Sequence, residues 1–358
     1  MFSFLKSLDW KLNLAIFILM AAGLVSLASN NQELFYKQLL WYLVGFALLV
    51  IIIRFDWRPY INYRGVIFGL YFLSTLLLIA TYFLAPTIRG TKGWLPLGPF
   101  NFQVSEFAKL VLIIFFSHFF SRKHIGIGRV STLITSFIYF LIPGFFVALQ
   151  PDFGSVLILF CLWFGFLLVS GIKYRHLIIA LIIFSILGII VWQSVLKDYQ
   201  KERILGFFFP GRDPLGTNYS AIQSKIAIGS AGLFGKGFQQ GTQTQLGFLP
   251  EAQTDFIFAA FIEEWGLLIG LLIVLVFGVL ILRIIKIGLS ADNNFNRFIC
   301  LGTAILLTVQ FIFNVGSNLG LTPVIGVTFP FLSYGGSSLL TNLILIGIIQ
   351  AIFIRRSL

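Results

Sequence analysis

Long apolar runs alternate with short polar breaks along almost the whole chain. Runs such as Leu39 to Ile53 and Leu267 to Leu282 show no strict alternation of apolar and polar positions, which excludes a transmembrane barrel. A helix rises 1.5 Å per residue, so about 20 largely apolar residues cross the hydrocarbon core of a bilayer. By that measure the chain carries about ten spans. They fall at roughly residues 12–29, 36–53, 65–85, 104–121, 131–149, 153–171, 176–195, 256–282, 297–317 and 335–354, with ends read to within ~2–4 residues. The expected class is an all-α integral membrane protein, a single polytopic domain over residues 1–358.

One interruption is much longer than the rest. Residues 196–255 form an outer loop between the seventh and eighth spans, reading in part GRDPLGTNYSAIQSKIAIGSAGLFGKGFQQGTQTQLGFLPEAQTD. Irregular backbone between spans must sit in water, on protein or in a cavity. Asp255 lies where this insert re-enters the apolar phase, which makes it the first candidate for chemistry. A second outer connection, PTIRGTKGWLPLGPFNF, runs from Pro86 to Phe102, and a third is only Gln150-Pro151-Asp152. A further connection from Asn318 to Tyr334 is apolar yet holds Pro323 and Pro330 and leads into Gly335-Gly336. It reads as a re-entrant or broken segment supported by protein.

Composition agrees: 58% of residues are hydrophobic, 11% are charged, and the mean hydropathy is +0.96, values foreign to a soluble globular domain. The net charge of +12 fits loop lysines and arginines facing anionic lipid and is no sign of nucleic acid. With the N-terminus placed in the cytoplasm, the inner connections collect the basic residues, for example Arg54, Arg58 and Arg64, then Arg122, Lys123 and Arg129, then Arg355 and Arg356. They hold only three acids, Asp9, Asp56 and Asp292. An even number of spans puts both termini inside. Residues 12–28 resemble a signal peptide, but the many spans that follow favour an uncleaved first span. Cys161 and Cys300 fall in or beside apolar runs and read as packing residues.

Polar residues in the apolar phase are the candidates for function. Glu106 and Lys109 open the fourth span three positions apart, so on a helix they share a face and pair. That pair reads either as a structural ion pair or as a cation aimed at a phosphate. Pro250 and the polar run before it predict a helix beginning near Thr254. Asp255 would then sit in the first turn, facing the positive end of the helix dipole. A carboxylate there can cap the helix, act as a general base or bind a divalent cation. Counting ~100° per residue, Glu263 falls nearer the Asp255 direction than Glu264 and is the expected helper. Asp152 after Pro151 is ordinary turn chemistry. The insert cations Arg203, Arg212, Lys225 and Lys236 are either solvated or grouped to receive a pyrophosphate. The stretch GSAGLFGKG, residues 229–237, fails as a phosphate loop, having Ser230 and Gly237 where that motif needs Gly and Ser or Thr. Its glycines suit tight turns and close packing. No histidine has a metal-ligand partner at useful spacing.

Five ordered stretches, GWLPLGPFNFQVSEFAKL (93–110), QPDFGS (150–155), DPLGTNYSAIQSKIAIGSAGLFGKG (213–237), GTQTQLGFLPEAQTDFIFAAFIEEWG (241–266) and PFLSYGGSSLL (330–340), resemble the SEDS family, the shape, elongation, division and sporulation proteins of bacteria. The likeness covers nearly the whole chain and is nearer to the rod-elongation branch than to the division branch. It implies a peptidoglycan glycosyltransferase that polymerises lipid II at the outer face of the cytoplasmic membrane, with a class B penicillin-binding protein as partner and a divalent cation, Mg or Mn, as cofactor. The family's essential acid falls on Asp255, as catalytic group and metal ligand. Its fourth-span pair falls on Glu106 and Lys109. Trp94, Asp152, Lys225, Glu263 and the two arginines Arg203 and Arg212 complete the expected substrate-binding set. Two positions depart from the family pattern: Gly93 stands where an arginine is usual before the tryptophan, and Val104 where a proline is usual.

The chemistry read from the residues agrees with that implication. A sugar hydroxyl attacking an anomeric carbon needs a base in reach, and a departing pyrophosphate needs cations. A lipid II flippase is the competing class, since broken segments and intramembrane charge also suit transport. The polar residues gather on one side only, which counts against it. A pure scaffold would leave Asp255 without a role.

Overall fold

The structure, a computed structural model, describes residues 8–56, 63–88, 90–98, 100–122, 130–194, 198–209, 213–216 and 218–356. The helices in order are α1 (Trp10–Asn30), α2 (Gln32–Arg54) and α3 (Arg64–Leu84). A hairpin of β1 (Trp94–Leu97) and β2 (Phe100–Gln103) leads into α4 (Val104–Arg122), α5 (Val130–Leu149), α6 (Phe153–Val169) and α7 (Tyr174–Ser194). Three helices then occupy the long insert: α8 (Asp198–Phe208), α9 (Tyr219–Ser230) and α10 (Thr242–Gln245). The chain ends with α11 (Ile257–Leu289), α12 (Asn294–Leu319) and α13 (Gly336–Arg356). Every segment expected to span is helical. Eight of the described helices are long and apolar enough to cross a membrane, and α6 is a shorter apolar helix of 17 residues. The protein is a multi-pass membrane protein.

Three expectations need correcting. The insert is not irregular throughout: three helices, α8, α9 and α10, alternate in it with turns. The second outer connection contains a two-stranded antiparallel hairpin, in which Trp94 faces Gln103 and Leu97 faces Phe100. The eighth span does not begin at 256 as one rod: Gly266, at φ 85° and ψ 169°, breaks α11 into a short outer piece and a long inner one.

The break shows how irregular backbone is tolerated at the edge of the apolar phase. Unpaired amides and carbonyls are costly there and must find partners in the protein. The glycine loop supplies them. Lys236 and Gly237 donate their N–H groups to the carbonyls of Glu263 and Glu264 at 3.0 Å each, and the N–H groups of Leu267 and Leu268 reach the carbonyls of Gly232 and Leu233 at 3.1 and 3.2 Å. The two backbones approach so closely that a Cβ on Gly235 would lie 2.1 Å from the Glu264 carbonyl oxygen.

Helix α4 is the central post. It is buried on all sides from Val104 to Phe120 apart from Phe107 and Phe119, and it touches α3, α5, α6, α12 and α13. Aromatic rings wedge around it, with Phe115 4.7 Å from both Tyr71 and Tyr139 between ring centroids. The outer helices expose large apolar side chains such as Leu43, Phe72 and Phe145, a surface that only lipid or another apolar span can cover.

The last quarter of the chain closes against the first. The non-helical segment 321–335 runs between α12 and α13 and lies against α1 and α2. Tyr42 donates to the carbonyls of Met20 and Phe331 at 3.2 and 3.4 Å. A Cβ on Gly23 would sit 2.3 Å from the Leu332 carbonyl oxygen. At the other end of the bundle Gln350 accepts from Asp9 N–H at 3.0 Å and donates to Asn13 at 2.7 Å. Arg283 Nε donates to the buried Asp9 carboxylate at 2.7 Å.

Candidate active site

Asp255 is held by its backbone. Residues 250–256 form successive turns, and α11 starts at Ile257. The acid therefore precedes the helix instead of sitting in its first turn, which corrects the sequence expectation. Its carbonyl oxygen accepts from Asn314 Nδ2 at 2.9 Å and Asn318 Nδ2 at 2.8 Å. These two residues stand four apart on α12 and share a face. The neighbouring carbonyls are fixed as well. Ser333 Oγ donates to Thr254 O at 2.7 Å, and Tyr334 N–H donates to Gln253 O at 2.9 Å. The side chain of Asp255 is half-buried beside Gly326, where a Cβ would come within 3.8 Å of Oδ2.

The segment 321–335 joins this acid to a second polar group. Ile325 packs its carbonyl against Gly154 at the start of α6, so closely that a Cβ there would lie 2.2 Å from the oxygen. Asp152, two residues earlier, caps α6: Oδ1 accepts from Ser155 N–H at 3.0 Å. Its Oδ2 accepts from Gln103 Nε2 and Ser105 Oγ, both at 3.3 Å. Gln103 is the register partner of Trp94, and its N–H donates to Ser337 Oγ at 3.0 Å. Trp94, Asp152 and the head of α4 thus belong to one assembly around the hairpin.

Glu106 and Lys109 follow one turn into α4 and pair at 2.7 Å, with side-chain exposures of 6% and 2%. Glu106 Oε2 is buried without a hydrogen bond. A pair this deeply enclosed has lost most of its hydration, and removing one partner would strand the other charge. The two family departures meet at the base of the hairpin, where Val104 N–H donates to the Gly93 carbonyl at 3.3 Å. A proline at 104 would have no N–H to give.

Glu263 is not a helper of Asp255. The angular count that linked them assumed an unbroken helix from residue 254. The carboxylate, 0% exposed, instead collects Lys236 Nζ, Gln243 N–H and Thr244 Oγ1 at 2.8 Å each, Thr244 N–H at 3.1 Å and Thr242 Oγ1 at 3.3 Å. It knots residues 236–244 to the outer piece of α11. Glu264 ties the same piece to α1 through Ser29 Oγ and to α10 through Gln245 Nε2 at 3.1 Å. Glu263→Gln is expected to lower stability by about 1–3 kcal/mol through loss of charge-assisted bonds. Thermal unfolding of the purified protein, with protease sensitivity of residues 236–244 as the local readout, checks it.

Of the insert cations, Lys225 is exposed on α9 and its ammonium reaches Gly320, where a Cβ would lie 3.2 Å from Nζ. Lys236 is engaged by Glu263. Arg212 and the Arg203 side chain lie outside the described residues. Among the described residues no three His, Cys, Asp or Glu side chains group as a metal site. Sequence reasoning passed over Asn314, Asn318, Gln103 and Ser333. A signal existed for the first two: amides spaced four apart in an otherwise apolar span.

Residues 6–357 match the FtsW/RodA/SpoVE family, described as "Cell cycle protein". The chain is 34% identical over 342 residues to Peptidoglycan glycosyltransferase MrdB of Escherichia coli (strain K12), covering 95% of this chain and 92% of that protein. It is 36% identical to Stage V sporulation protein E of Bacillus subtilis (strain 168), covering 87% and 85% of the two chains. In three dimensions it is similar to a chain of the structure described as "Structural coordination of polymerization and crosslinking by a peptidoglycan synthase complex", with a TM-score of 0.84, 31% identity and 98% of each chain covered. The rod shape determining protein RodA of Thermus thermophilus aligns with a TM-score of 0.72 and 26% identity over 98% of each chain. A broken segment gripping one aspartate, and a likeness that runs over nearly the whole chain in sequence and in space, place this chain in the FtsW/RodA/SpoVE family, whose members are the SEDS proteins.

Proposed function

We propose that the chain is a peptidoglycan glycosyltransferase that polymerises lipid II at the outer face of the bacterial cytoplasmic membrane. The observation that carries this reading is the mounting of Asp255: a half-buried carboxylate beside a protein-supported break in the apolar phase. The relatives named as peptidoglycan glycosyltransferases support it. In this reaction an acceptor sugar hydroxyl attacks the anomeric carbon of a second glycan, the bond to pyrophosphate breaks, and the hydroxyl proton must leave. Asp255 takes that proton as general base. Lys225 at the outer end of α12, with Arg203 and Arg212, offers positive charge to the departing pyrophosphate. Trp94 and Asp152 form the other wall and orient the sugars, and the buried Glu106–Lys109 pair braces that wall from behind. The undecaprenyl chains lie against the apolar helix faces. The distribution of basic residues supports a cytoplasmic placement of both termini.

The residues fit a divalent cation shared with the substrate. A hard cation such as Mg²⁺ takes one or two carboxylates, keeps waters and completes its shell with phosphate oxygens, and a single carboxylate at Asp255 suits that role. When bound, the cation would neutralise pyrophosphate oxygens and make the nearby hydroxyl more acidic. The crosslinking half of wall synthesis falls to a class B penicillin-binding protein, and the pair serves rod elongation.

The test is direct. Purified protein with its cognate penicillin-binding partner is incubated with lipid II and Mg or Mn, and products are run on a gel. Long glycan is expected, and its absence with folding and pairing verified would move the assignment to lipid transport or scaffolding. Chelation is expected to stop polymerisation, and adding back the cation to restore it.

A further inference from the structure

Asn318 does three things with one side chain. Its Nδ2 donates to the Asp255 carbonyl at 2.8 Å and to the Asn314 carbonyl at 2.7 Å, and its Oδ1 accepts from Ala259 N–H at 2.9 Å. Asp255 and Ala259 bracket the passage from turn to helix. Phe256, the residue at the helix cap, makes no side-chain capping bond of its own, so an amide from α12 does this work across the fold. The Asn318 carbonyl in turn accepts from Ser224 Oγ of the insert helix α9 at 2.9 Å. Asn314 adds a second donor to the Asp255 carbonyl and gives another bond to Val327 O at 2.8 Å. Val327 follows Gly326, which stands beside the Asp255 carboxylate.

We infer that Asn318 and Asn314 are positioning residues for Asp255. Asn318 sets the acid against the axis of α11, and Asn314 sets it against the wall formed by residues 325–327. Neither touches the reacting atoms. The role rests on the reading of Asp255 as the acid of the polymerase. A plain structural role, satisfying buried backbone groups, would affect folding without changing turnover selectively.

The two ends of the amide separate these roles. Asn318→Asp keeps an oxygen for Ala259 N–H, and a carboxylate at a helix start is favourable. It removes the donor that grips the Asp255 carbonyl. A misplacement on the order of 1 Å at a reacting group costs roughly 10²-fold, so kcat for glycan polymerisation is expected to fall about 100-fold. KM for lipid II is expected to stay within about twofold, because the substrate-binding assembly around α4 is untouched, while thermal stability is expected to fall, because the new carboxylate is buried with one oxygen facing the Asp255 and Asn314 carbonyls. Asn314→Ala, which leaves the Asn318 bonds in place, is expected to lower kcat about tenfold, again without a change in KM, since the misplacement is smaller. It carries the test where Asn318→Asp does not fold. Wild-type kcat in a folded variant of either kind, or a loss confined to KM, would overturn the positioning role alone. A wild-type protein that makes no glycan in the same assay would overturn the glycosyltransferase reading itself.

Discussion

Asp255→Asn is expected to leave the protein folded and to reduce lipid II polymerisation by about 10²–10⁴-fold, the usual worth of a general base. The substitution is nearly isosteric. The backbone carbonyl of residue 255 is held by Asn314 and Asn318 at 2.9 and 2.8 Å whatever the side chain. The neighbouring contacts of Thr254 and Gln253 with Ser333 and Tyr334 are also backbone contacts on that side. The substitution removes the capacity to accept a proton or to ligate a cation. Initial rates of glycan synthesis beside a thermal unfolding curve separate the two consequences. An Asp255→Asn protein that polymerises at the wild-type rate would remove Asp255 from the mechanism.

Gly266→Ala is expected to damage the fold more than any of the substitutions at polar sites. At φ 85° and ψ 169° the backbone is in a region open essentially to glycine alone, and strain there costs about 1–3 kcal/mol. Sterics add to it, because the new Cβ would lie 2.3 Å from Leu233 O and 2.4 Å from Gly235 N. The collision is with backbone, so no rotamer relieves it. Either the helix straightens or the glycine loop is expelled, and in both cases the carbonyls of Glu263 and Glu264 and the amides of Leu267 and Leu268 lose partners at the membrane edge. Against a total stability of about 5–15 kcal/mol, that loss should appear as poor recovery of folded protein from the membrane and early cleavage within residues 231–245. A well-folded Gly266→Ala protein with an intact loop would show that the break is not a structural requirement.

The spans were legible because a helix crossing lipid must satisfy its own backbone and be apolar for its full length, and both demands are written in unbroken runs. The break at Gly266 was not legible, since residues 256–282 read as one span and a single glycine is compatible with a continuous helix. The hairpin escaped for a different reason: strands of four residues are too short for a period to stand out, although Gly98 after Trp94-Leu95-Pro96-Leu97 marks its turn. Asp255 could be singled out by its place at the end of the insert. The asparagines that hold it could not be ranked, because their partners are backbone atoms far along the chain. Glu263 and Glu264 carried a real signal of a polar neighbourhood. Its meaning, a knot for the outer loop, required knowing where the helix bends.

The seam between the two ends of the chain bears on biosynthesis. Met20 and Tyr42 leave the ribosome long before Phe331, and Asp9 and Asn13 long before Gln350, yet these residues bond to one another in the finished protein. Such pairings of very distant residues form late. Until the final helix is inserted, segment 321–335 cannot be seated, and Asp255 lacks the backing of Ser333 and Tyr334. A chain translated only that far therefore carries Asp255 before the contacts that brace its neighbours are in place.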